Sequence, residues 1–106
     1  MKKRSAFRFN GFRMPVQYKT AYDEGTAYLS NISTSGCALE SLTTPISVSE
    51  TFLLSIALEE EQDHIEVRAL AVRPTEEGIA AKFTIIEQTS QTKLRIYFCK
   101  KLRNHS

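Results

Sequence analysis

With 106 residues, 42% apolar and 25% charged, the chain has the size and balance of one globular domain with one modest core. No run approaches the ~18 apolar residues of a membrane span, and no apolar stretch follows Met1-Lys2-Lys3-Arg4, which argues against a signal peptide. The net charge of +2 conceals a segregation: residues 1–22 carry six basic side chains and no acid, residues 23–87 carry all twelve acids, and residues 88–106 carry five basic side chains and no acid. Basic ends around an acidic middle are either solvated flanks or an anion site built by an end of the chain.

The first dozen residues show no clean period, and Asn10-Gly11 breaks any helix, so residues 1–12 are expected to form a flexible basic arm. The domain proper is then 13–106. Met14, Val16, Tyr18 and Tyr22 alternate with Arg13, Gln17 and Lys19, predicting a half-buried strand over 13–22 with Pro15 tolerated near its start. Asp23-Glu24-Gly25 turns the chain into a strand over 26–33. Thr34-Ser35-Gly36 turns it again into an extended segment over 37–40.

Residues 41–50, rich in Ser and Thr with Pro45, form a loop. Phe52, Leu54, Ile56 and Leu58 alternate next, followed by an acidic hairpin tip at Glu59, Glu60, Glu61 and Asp63. Ile65, Val67, Ala69 and Ala71 form the following strand, and Ile79, Ala81, Phe83 and Ile85 the last. The period then changes. Leu94, Phe98 and Leu102 recur every four residues, predicting an amphipathic helix over about 90–103 with Thr89 or Ser90 as its cap and basic residues at its negative end. Six short strands and a terminal helix predict a mainly β barrel or sandwich whose open end the helix covers.

Two local patterns carry candidate chemistry. Arg4 and Arg8 form R-x-x-x-R in the basic arm, and Asn31-Ile32-Ser33-Thr34-Ser35-Gly36 reads N-x-S-x-x-G where a strand ends in a turn. Each alone is common. Their order, with 23 positions between Arg8 and Asn31, resembles the PilZ family, as do the apolar strand from Phe52, the run Gly78-Ile79-Ala80-Ala81-Lys82-Phe83 and the C-terminal helix. The resemblance implies a six-stranded antiparallel PilZ-like β-barrel with a C-terminal α-helix. It also implies a bacterial cytoplasmic binding module, not an enzyme, whose ligand is cyclic di-GMP.

Residue chemistry agrees with that ligand. Arg4 and Arg8 offer bidentate pairing to phosphate or to a guanine edge. Asn31 offers donor and acceptor, Ser33 a hydroxyl, and Gly36 room for the backbone to turn and a flat ligand to approach. The arm is expected to order on the nucleotide. The arginine register has an alternative: Arg13-Met14-Pro15-Val16 resembles the family's entry into its first strand, which would make Arg13 the second arginine and Arg8 the first. Strict spacing favours Arg4 and Arg8, and Arg8 belongs to the site in either register.

A single domain of this kind would signal through an unidentified effector protein. The competing readings are a PilZ-like interaction adaptor that binds no nucleotide, and a small barrel for single-stranded nucleic acid, suggested by Phe7, Phe9 and Phe12 among arginines and opposed by the acidic middle. Ser33 has no base at motif spacing. His64 and His105 stand alone, so no metal site or cofactor is expected. Cys37 and Cys99 are expected as free packing cysteines.

Overall fold

A computed structural model describes residues 8–58 and 63–103, apart from the side chains of Arg8, Leu58, Asp63 and residues 101–103. Arg4, the rest of residues 1–7, the acidic tip at 59–62 and the Leu102 side chain fall outside it. The elements run β1 (Arg8–Lys19), β2 (Glu24–Ser33), β3 (Gly36–Glu40), β4 (Thr51–Leu58), β5 (Asp63–Pro74), β6 (Gly78–Ile85) and α1 (Gln88–Arg103). The strands close into an antiparallel barrel in the order β1-β2-β3-β6-β5-β4.

The alternation that marks each strand is the barrel's inside and outside. Met14, Val16 and Tyr18 of β1, Leu54 and Ile56 of β4, and Ile65, Val67 and Ala69 of β5 all point into one apolar core. β1 and β4 join only between Gln17–Lys19 and Leu53–Ser55. Helix α1 caps the core with Leu94 and Phe98, both fully buried. The Phe98 ring lies 5.7 Å from Phe9 and 4.9 Å from Phe12, fastening the start of β1 to the helix.

At the other end, the 41–50 loop folds over the barrel and buries Ile46. The buried Tyr18 hydroxyl donates to the Thr44 carbonyl and accepts from the Thr44 N–H at 3.0 Å. Thr43 Oγ1 accepts the Thr26 N–H at 2.9 Å, and Thr44 Oγ1 donates to the Glu24 carbonyl at 3.0 Å. A polar loop thus seals a β-barrel by satisfying backbone groups at its rim.

Two boundaries and the packing of one cysteine differ from expectation. β1 begins at Arg8 instead of residue 13, so residues 8–12 belong to the sheet and not to an arm. The cause is a β-bulge: the β1–β2 register shifts between Asn10 and Met14, with Gly11 at φ 76°. Phe9 and Met14 both pack on the core although an odd number of positions separates them, which hides the strand from a period-two reading. The helix starts at Gln88, with its first bond from Gln91 N–H to the Glu87 carbonyl at 2.9 Å, so Thr89 and Ser90 sit inside the first turn and do not cap it. Both cysteines are free, but only Cys37 packs in the core; Cys99 is exposed on the helix.

Candidate functional site

A second bulge positions the N-x-S-x-x-G segment. The β2–β3 register shifts between Leu29 and Asn31, so Leu29 and Ile32 both enter the core three positions apart. Asn31 and Ser33 therefore lie on the face opposite to Ile32, outside the barrel. Without this bulge one of the two apolar side chains would leave the core, so packing fixes the direction of the polar ones.

Cross-strand register then assembles the candidates. Arg8 of β1 is paired with Ser33 of β2. Ser33 Oγ lies 3.4 Å from the Gly36 carbonyl, across the turn. Gly36 of β3 is paired with Lys82 of β6, and Lys82 with Leu70 of β5. Arg8, Ser33, Gly36 and Lys82 thus form one row across four strands. In the adjacent row Asn10 is paired with Asn31, Asn31 with Ala38 and Ala38 with Ala80. The two rows set amide and hydroxyl groups beside a low floor of glycine and alanine, at the barrel end where β1 begins.

The roles within the turn are partly structural. Ser33 is buried, and its hydroxyl also accepts the Ser35 N–H at 3.3 Å, which holds the Thr34-Ser35 corner. The Ser35 carbonyl accepts the Phe83 N–H at 2.9 Å, tying that corner to β6. Gly36 does not occupy a left-handed conformation, since Gly11 is the glycine with positive φ. Its need is space: a Cβ there would collide with the Ala81 carbonyl oxygen and come within 3.1 Å of Lys82 Cα. The expectation that Gly36 serves the turn through backbone freedom is corrected accordingly.

Arg13 stands apart from these rows. Its guanidinium lies 3.9 Å from the Tyr28 ring centroid, 3.7 Å from Glu40 Oε1 and 3.3 Å from Ser41 Oγ, to which it donates. Each contact is weak at an exposed site, but together they hold this arginine toward β2 and β3. Asn10 and Lys82 join these rows through register with other strands, and nothing local in the sequence singles them out. The thiol nearest the motif, Cys37, is pushed up to about 12 by burial and is inert at neutral pH.

This bulged six-stranded barrel, plugged by its C-terminal helix and carrying an N-x-S-x-x-G corner, defines a class of small barrel domain. The PilZ domain model matches residues 2–98, and the chain belongs to the PilZ family. Among solved structures it resembles the Bacillus subtilis inhibitor of motility MotI/DgrA, with TM-score 0.74 and 23% identity over 100% of this chain. The chain spans 54% of that protein's length. It also resembles the PilZ domain of CeSA from a cellulose-synthesizing bacterium, with TM-score 0.68, 17% identity and coverage of 90% of this chain and 98% of that one. A Legionella uncharacterized protein, Lpg0364, aligns with TM-score 0.55 and 19% identity over 93% of this chain and 96% of its own. No curated protein matches by sequence. Among the described residues no helix is long and apolar enough to cross a membrane.

Proposed function

We propose that this domain is a cyclic di-GMP-binding sensor or adaptor, without catalytic activity of its own, that passes the binding event to an effector protein in the bacterial cytoplasm. The observation that carries the reading is the cross-strand row in which Arg8, Ser33 and Gly36 meet, with Asn31 in the row beside it. PilZ domains are known as receptors for this nucleotide, which supports the assignment. Arg4 and Arg8 supply the guanidinium pair for phosphate or guanine, Asn31 a hydrogen-bonding edge, and the Gly36, Ala38 and Ala80 floor a place for a flat base. Binding through the N-terminal arginines alters the surface that the partner reads.

Calorimetric titration with cyclic di-GMP tests this directly. Binding in the micromolar range is expected, and Arg8→Ala should weaken it by about 10- to 100-fold, the loss of a charge-assisted contact. No heat at ~100 μM protein would refute the reading. A second reading, a PilZ adaptor that binds no nucleotide, draws support from Ser33 and Gly36, whose identities the corner and the β3–β6 contact already require. That titration decides between them.

A further inference from the structure

We propose that Lys82 is a further ligand-positioning residue of the nucleotide site, reaching from β6 to a phosphate on the side of the site away from the arginines. This rests on the cyclic di-GMP reading and adds to it a cation that neither sequence motif contains. Lys82 is paired with Gly36 and so lies in the same row as Arg8. With strands about 4.8 Å apart, three steps place the Lys82 backbone roughly 14 Å from that of Arg8. The two residues flank the Ser33–Gly36 corner in register, and a doubly charged cyclic dinucleotide offers two anionic groups.

The corner itself points the same way. Phe83 N–H bonds the Ser35 carbonyl at 2.9 Å, so the residue after Lys82 is fixed to the turn. Gly36 has no side chain to stand between the corner and Lys82, and a Cβ there would press to 3.1 Å from Lys82 Cα. The β3 and β6 backbones therefore lie against each other at this point, and Lys82 is exposed beside the corner.

The charge environment is the second observation. Lys19 pairs with Glu24 at 3.8 Å and Arg13 with Glu40 at 3.7 Å, whereas the exposed Lys82 has no carboxylate partner among the described residues. Its register neighbours Gly36 and Leu70 are uncharged, as are Ala80 and Thr84 on its own strand. In a stretch that holds all twelve acids of the chain, an ammonium without a carboxylate partner among the described residues keeps its charge for a ligand. Lysine suits phosphate, as a compact point charge, better than a guanine edge that rewards a planar fork.

The test is calorimetric titration of cyclic di-GMP into the unaltered chain and into Lys82→Gln, Lys82→Arg, Lys19→Gln and Arg8→Ala, at about 50 mM and about 500 mM salt. Lys82→Gln should bind about fivefold more weakly at low salt and less than about twofold more weakly at high salt, because a solvent-accessible ion pair is modest and screened. Lys82→Arg should restore binding. Lys19→Gln removes the same charge at the opposite barrel end and should bind like the unaltered chain. Equal binding by Lys82→Gln and the unaltered chain, with the Arg8→Ala loss retained, overturns this proposal alone. A Lys82→Gln loss that persists undiminished at high salt also overturns it, since a phosphate contact is screened. Failure of the unaltered chain to bind overturns the nucleotide reading and this proposal with it. Thermal melts of the free proteins confirm that each exposed variant folds.

Discussion

Gly36→Ala separates what the motif does for the fold from what it does for a ligand. The new Cβ would overlap the Ala81 carbonyl oxygen and meet Ala81 C at 3.3 Å and Lys82 Cα at 3.1 Å. A comfortable carbon–oxygen approach is about 3.3 Å, so β3 and β6 must part locally by about 1 Å. Such overpacking costs about 1–3 kcal/mol, and a stretched Phe83 to Ser35 bond adds about 1 kcal/mol. Alanine restricts the unfolded chain and returns about 0.5–1 kcal/mol, leaving a net loss of about 2 kcal/mol. For a domain this size that lowers Tm by roughly 10 °C. Urea denaturation of the ligand-free protein, followed by far-ultraviolet circular dichroism, should show a lower midpoint at unchanged slope. Asn31→Ala, at a half-buried position on the outer face, should stay within about 1 kcal/mol of the parent in the same assay while losing nucleotide binding. A Gly36→Ala protein as stable as the parent would refute the packing argument and return Gly36 to a ligand role.

Tyr18→Phe strips the Thr44 N–H and carbonyl of their shared partner at the loop-bearing end of the barrel and should cost about 1–2 kcal/mol in the same denaturation assay, with nucleotide binding unchanged. In the folded protein a thiol reagent at neutral pH should label exposed Cys99 and leave Cys37 unmodified until the chain is unfolded, as counted by mass spectrometry. The Cys37 thiol is raised from 9.0 to about 12 by burial, so the folded state favours its neutral form. Its contribution to stability is complete below pH 9 and is lost as pH rises toward 12, a decline that Cys37→Ala should flatten in denaturation midpoints measured across that window. Arg13→Ala should weaken nucleotide binding far less than Arg4→Ala in parallel titrations; a loss with Arg13→Ala and none with Arg4→Ala would establish the other arginine register.

Where side chains alternate without interruption, the fold was legible from residue order. Met14, Val16 and Tyr18, or Ile65, Val67 and Ala69, announce strand and buried face together, and Leu94 with Phe98 announces the helix. Legibility failed at the bulges. Phe9, Phe12 and Met14 all reach the core, yet their spacings fit no single period, so the first turn of β1 reads as irregular chain. The site was half legible for a related reason. Asn31, Ser33 and Gly36 are close in sequence and form one corner, while Asn10 and Lys82 join them through pairings that connect distant segments. Nothing local in Asn10-Gly11 or in Ala81-Lys82-Phe83 states which strand lies beside it.

The arginine question turns on the same bulge. Arg8 and Arg13 are an odd number of positions apart, and in a regular strand that would place them on opposite faces. The Gly11 bulge absorbs the mismatch: Arg8 holds register with Ser33, and Arg13 still emerges on the outer surface over Tyr28. Face parity therefore does not exclude Arg13, and spacing alone cannot choose. Partners do. Arg13 must leave Glu40, Ser41 and the Tyr28 ring before it can serve a ligand, each a contact of up to about 1 kcal/mol. Arg8 stands in backbone register with Ser33 of the motif. Replacing Glu40 with Gln is the sharper probe of this reasoning. If Arg13 is occupied as argued, Glu40→Gln leaves nucleotide affinity within about twofold of the parent. If Arg13 is the second arginine, releasing it strengthens binding, and a gain of fivefold or more in the titration would overturn the assignment of Arg4 beside Arg8.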